Sequence, residues 1–150
     1  MANFSALKSL DVTSGKTVEF KLHQITVNGK SPTLFLASAS ETNKPYFNAL
    51  LRRVGKTSRA LKSSSVNTGV IKELREEDRA LYPEFVIKGW SDLYDMETGE
   101  PVPFSKVEAA NLIAAIPDWL FDDIRNFAGD LSNFTETIDV EVKAKNSQGG

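Results

Sequence analysis

Cysteine is missing from the chain, and histidine occurs once, as His23. Without cysteine there can be no disulfide, no thiolate metal site and no thiol nucleophile. A cysteine-free chain fits a reducing compartment, so the sequons Asn3-Phe4-Ser5 and Asn133-Phe134-Thr135 carry no expectation of a glycan. His23 falls in an alternating, strand-like stretch and reads as a surface or bulge residue, not a catalytic base. Glycine patterns of the kind that cradle phosphates are lacking. Apolar runs stay far short of the roughly 18 residues that span a bilayer. The opening MANFSALKSLDVTSGK has no basic-then-apolar signal pattern. DMETGE, at 95–100, places acids near a glycine but lacks the twelve-residue ligand series of a calcium loop, and reads as an acidic turn. These gaps predict a protein that is not an enzyme, with no cofactor, no metal and no membrane span.

Charge is plentiful but unevenly spread. Residues 44–62 hold six basic side chains and no acid, whereas residues 83–134 hold ten acids and three bases. The formal net charge of −2 hides this split. Either the two segments face each other or water, or the basic segment is offered to an acidic partner.

Residues 85–134 organise the chain. They hold both tryptophans, Trp90 and Trp119, and five of the nine phenylalanines. Ser105 followed by Glu108 and an apolar run is a capping box that opens a helix over 105–116. Pro117 ends that helix, because the residue before a proline avoids the helical region. It also suits the start of a second helix, 117–128, where its missing N–H is no loss. Leu120, Phe121, Ile124, Phe127 and Ala128 share one face there. Asp118, Asp122 and Asp123 sit where carboxylates favour the helix dipole, and Gly129 offers a left-handed stop.

Upstream, TVEFKLHQITV (17–27) alternates like a half-buried strand and shifts phase near His23-Gln24, which predicts a bulge or two short strands. Asn28-Gly29 signals a turn, and TLFLAS (33–38) completes a β-hairpin. Pro45 opens a basic helix to about Lys62, with Phe47, Leu50, Leu51, Val54 and Leu61 as its apolar stripe. SSSVNTG (63–69) reads as a mobile linker. A third helix starts near Thr68 to Val70 and carries interleaved charges whose pairs contribute only tenths of a kcal/mol each. Pro83 is expected to kink or end it. A small second hairpin follows around Asp95–Gly99, between Leu93-Tyr94 and Val102-Phe104. Residues 135–143 alternate again, as a late edge strand against the first hairpin or as an extended arm. The expected fold class is α+β: an N-terminal β-hairpin, then a mainly helical bundle with the small second hairpin. We expect a single domain over 1–143, with a hairpin part at 1–40, a helical part at 44–134 and a flexible tail at 144–150.

Binding is the function class left. LLRRVGKTSRALK is basic enough to contact phosphates. It lacks interleaved aromatics beyond Tyr46 and Phe47, and the acidic remainder repels a polyanion, so nucleic acid is the less favoured partner. Trp119 lies beside the main stripe of its helix, where it serves either the core or a protein partner. The candidate partner-binding residues are Arg52, Arg53, Lys56 and Arg59 on the basic helix, and Trp90, Trp119 and Phe121 in the organising stretch.

The order YFNALLRR, EEDRALY, VIKGW, PVPFS and AIPDWLFDDIRNFAGDLSNF, spanning about Pro45 to Phe134, resembles tail assembly chaperones of long-tailed bacteriophages. Lys88-Gly89-Trp90, Pro101 to Ser105 and Pro117 to Ile124 carry the likeness, and Pro83 departs from it. The resemblance implies a non-enzymatic factor in the cytoplasm of an infected bacterial host. It would coat the tape measure protein and help recruit tail tube subunits, and its split charge suits self-association. The alternatives are a structural or adaptor protein retained in the virion tail, or a nucleic-acid-binding protein using 45–62.

Overall fold

The computed structural model describes residues 1–12, 15–53 and 68–142. It is an α+β fold, with a three-stranded antiparallel sheet followed by a helical region. A 3₁₀ turn, Ser5–Leu10, precedes β1 (Thr17–Lys21) and β2 (Thr33–Ala37). Then come α1 (Lys44–Arg53), α2 (Thr68–Phe85), β3 (Ile87–Ser91), α3 (Lys106–Ala115), α4 (Asp118–Ala128) and a second 3₁₀ turn, Leu131–Phe134.

The hairpin forms as expected, in a register with Lys21 opposite Thr33 and Thr17 opposite Ala37. Its ladder stops at the expected phase shift. The amide of Leu22 still donates to Pro32 O, then the chain turns at His23-Gln24. The Asn28-Gly29 turn has φ of 55° and 76°, the positive values that asparagine and glycine tolerate best, and it closes an isolated Val27–Lys30 bridge.

The third strand was not expected. Residues 87–91 pair antiparallel with β2, so the hairpin becomes a sheet in the order β1-β2-β3. The pairing explains each residue of the Lys88-Gly89-Trp90 motif. Leu36 faces Ile87 while Phe35 faces Gly89, so Lys88 is the extra residue of a bulge. A Cβ on Gly89 would lie 3.3 Å from the Phe35 ring, so glycine lets that ring settle across the strand. Trp90 Nε1 donates to Val102 O at 2.8 Å, and Phe104 packs edge-on against its ring. That anchors the second hairpin turn, which forms as expected with Asp95 Oδ1 accepting from the amides of Glu97 and Thr98 and a Tyr94–Pro101 bridge.

Pro83 does not end α2, one of the two outcomes expected of it; it sits inside the helix, near its end. The only intrahelical bond it removes is its own to residue 79, and Val86 N–H still closes on Tyr82 O at 3.0 Å. The helix starting at Ser105 forms as expected, with Glu108 N–H donating to Ser105 Oγ at 3.0 Å. Pro117 is the N-cap of α4, one residue earlier than its expected role as first helical residue. Gly129 is not left-handed: its φ is −83°, and a Cβ there would approach Arg125 O to 3.1 Å.

In the core, Leu34 and Leu36 of β2 meet Tyr82 of α2, Ile113 of α3 and Phe121 and Ile124 of α4. The stripe expected on α1 is rotated. Tyr46 and Ala49 are buried, Phe47 and Leu50 are half-buried and Leu51 is exposed. Residues 136–142 do not form an edge strand on the hairpin. Residues 54–62 of the expected basic helix, 63–67 of the expected linker and the tail 144–150 lie outside the described residues.

Candidate partner-binding surface

Chemistry concentrates on the helical side, between α2 and α4. Two rows of side chains, each spaced four apart, meet there: Arg75 and Arg79 of α2, Asp118 and Asp122 of α4. Arg75 makes a two-pronged contact with Asp122, at 2.9 and 2.8 Å. Arg79 Nη2 donates to Asp118 Oδ1 at 2.6 Å, and the same guanidinium reaches the carbonyls of Ile113 and Ile116. Those carbonyls belong to the C-terminal end of α3, which has no intrahelical partners for its last turn. One arginine therefore joins three helices.

Arg125 extends the network inward. Its Nε donates to Asp78 Oδ2 at 2.8 Å, and its Nη1 to Asp122 Oδ1 at 3.1 Å. Asp78 is buried and also accepts from the Tyr46 hydroxyl of α1 at 2.8 Å. Both Arg79 and Arg125 lie over the ring of Phe121. The electrostatics follow the geometry. Hydrogen bonds from Arg75 hold the Asp122 carboxyl below the usual range, with Arg125 adding to the effect against the cost of burial. The Arg79 hydrogen bond does the same for Asp118. Burial first, then the Asp78 charge, push the Tyr46 and Tyr82 phenols upward, so both stay protonated. Three arginines face three aspartates, and this part of the acidic segment is neutralised internally. Its chemistry is that of a clamp holding four helices. Among the described residues, no group of three or more His, Asp or Glu could hold a metal ion.

The expected binding residues divide sharply. Phe121 is fully buried beneath the arginine clamp, which corrects its placement on a binding face. Trp90 is half-buried and committed to Val102 and Phe104. Arg53 is paired with Glu77 of α2 at 2.8 Å, a residue outside the acidic segment 83–134. Arg52 is exposed, and Lys56 and Arg59 lie outside the described residues. Trp119 is 55% exposed on the outward side of α4.

Sequence reasoning missed the surface beside Trp119. Glu76, Arg79 and Ala80 of α2, Ala110 and Ala114 of α3, and Asp118 line an open groove of about 540 Å³. Val107, one turn from Ala110 on α3, is 70% exposed. The available signal was the spacing of Val107, Ala110 and Ala114, a second, small-residue stripe opposite the buried Ala109, Ile113 and Ile116. No helix among the described residues is long and apolar enough to cross a membrane.

No curated protein and no solved structure matches the chain. The profile of a phage-derived family does, over residues 41–145, which takes in the four α-helices of the described residues, β3 and the arginine clamp and leaves out β1 and β2. Over more than two thirds of its length, the chain belongs to the YdaY prophage protein family.

Proposed function

We propose that the protein is a non-enzymatic tail assembly chaperone, which covers the tape measure protein and helps recruit tail tube subunits in the cytoplasm of the infected host. Prophage family membership and the motif order shared with such chaperones support this reading. The observation that carries it is Trp119, an exposed tryptophan on a helix that the clamp holds in place. Ordering a flexible tryptophan on binding costs entropy, and a rigid helix has already met much of that cost. Asp118, the residue before it, lines the groove floored by Ala80, Ala110 and Ala114. Small side chains there let a partner helix approach closely, since the axis separation depends on the residues at the contact.

The test is co-expression with the tape measure protein. The partner should become soluble and co-purify with this chain, and the chain should be missing from purified virions by mass spectrometry. A tape measure protein that stays insoluble and is not captured defeats the reading. Recovery of the chain from virions in fixed proportion replaces it with a retained structural or adaptor protein.

A further inference from the structure

The sheet leaves an edge open on β1. Leu22 N–H donates to Pro32 O, the position next to the Lys21–Thr33 pair. Alternation in an antiparallel ladder therefore turns Val18 and Phe20 towards β2, and points the N–H and C=O groups of Thr17, Glu19 and Lys21 away from it. No described residue pairs with that edge. Unpaired edges of this kind are templates for another strand.

The chain also carries a stretch built like a strand and left without one. In residues 136–142, ETIDVEV, Ile138, Val140 and Val142 alternate with Thr137, Asp139 and Glu141. Val140 is 63% and Val142 84% exposed, and no described residue shares a ladder with them. The stretch holds three acids and no base, whereas the β1 edge is flanked by Lys16 and Lys21. Its root is fixed. Phe134 is buried against Phe127, and Phe127 packs on Phe20 of β1. Thr135 and Glu136 share a cavity of about 420 Å³ with Val12 and Lys16, at the start of β1.

That root decides which copy of the stretch fits. Leaving from the start of β1, a chain's own residues 136–142 can follow β1 only in parallel. Crossing to the far end first would use up the seven residues, at roughly 3.3 Å each. A second molecule has no such restriction and can enter antiparallel, like every other pairing in the sheet. We propose that the open edge of β1 takes residues 136–142 of a second copy of this chain as an antiparallel fourth strand. Exchange in both directions makes a closed two-fold dimer with one added strand on each sheet. This dimer rests on the sheet and the C-terminal stretch alone, independently of the tail-assembly reading.

The test combines sedimentation with amide hydrogen exchange on the full chain, from dilute to concentrated solution. A dimer should form as concentration rises. With it, exchange at Thr17, Glu19 and Lys21 should slow by roughly ten-fold or more. The double substitution Val140→Pro/Glu141→Pro removes two adjacent donors outside the packed core, so the monomer should fold normally and lose both dimer and protection. Lys21→Glu should weaken the dimer. A chain that stays monomeric overturns the proposal. So does a dimer that survives the double proline substitution, or one in which the three edge amides exchange as in the monomer. Protection already present in the dilute monomer also overturns it, because the chain's own stretch would then occupy the edge.

Discussion

The two tryptophans of the organising stretch sit in regions built on opposite plans. Trp90 is half-buried and fastened within the molecule: its N–H holds Val102, its ring meets Phe104, and its backbone is a rung of the sheet. Trp119 is 55% exposed, while the other side of its helix is held by three arginines. A large aromatic residue is thus a fastener in one region and an outward-facing surface in the other. The contrast teaches that a tryptophan in a short helix becomes available to a partner when other side chains take over the work of fixing the helix.

The sharpest way to break that plan is to remove the clamp's buried anchor. Asp78→Ala leaves the Tyr46 hydroxyl and the Arg125 guanidinium without their acceptor. Loss of one partner of a buried charge pair costs about 3–5 kcal/mol, and the residual exposure of Arg125 places this case near 3. Denaturant unfolding should show a large drop in midpoint with an unchanged slope. A loss below about 1 kcal/mol would mean that apolar packing alone holds α4.

Trp90→Ala comes next, at about 2–3 kcal/mol, because the side chain is half-buried where a fully buried tryptophan would cost about 3–5. Fast amide exchange should spread to Val102, whose N–H bonds to Leu93 O in the turn that Trp90 anchors. A variant that melts like the parent would remove Trp90 as a fastener and erase the contrast.

A smaller effect sharpens the electrostatic half of the comparison. The Asp122 carboxyl is held below its usual range by the hydrogen bonds from Arg75 and Arg125. A depressed carboxyl stabilises the fold above its unfolded pKa and loses that contribution as pH falls through the folded value. The clamp should therefore contribute fully at neutral pH and weaken below about pH 4. Asp122→Asn should cost about 1 kcal/mol at pH 7, a modest figure because the pair is partly solvated. The gap from the parent should close as the pH is lowered. A gap that widens in acid would show that Asp122 acts by something other than its charge.

Much of this architecture is legible from local rules. Ser105 with Glu108, Pro117, Asn28-Gly29 and the phase break at His23-Gln24 each announce a feature set by a few neighbouring residues, and each appears where local chemistry puts it. What stays hidden depends on partners distant in the chain. Residues 87–91 form a strand because β2, some fifty residues earlier, offers an edge; the five-residue run itself fits strand or helix. Arg75, Arg79, Asp118 and Asp122 look like surface charges and dipole complements until the two helices are laid side by side. The matched spacing of four in both rows was the readable sign. Phe121 was misplaced on a binding face for the same reason, since the arginines that cover it come from another helix and from its own next turn.

The smallest expected change in stability is the one that matters most for function. Trp119→Ala removes a ring that is 55% exposed, so unfolding should shift by no more than about 0.5 kcal/mol, as for other surface substitutions. Capture of the partner should respond differently. An aromatic anchor at the centre of an interface contributes about 2 kcal/mol or more, so under the proposed tail-assembly role affinity for the tape measure protein should fall roughly thirty-fold. Measuring both quantities on one variant separates fastener from surface: stability lost with binding kept would make Trp119 a second Trp90. Asp123→Ala, on the same exposed side of α4, serves as the control. If it weakens capture as much as Trp119→Ala while stability holds, charge on that face is the determinant and the indole is not.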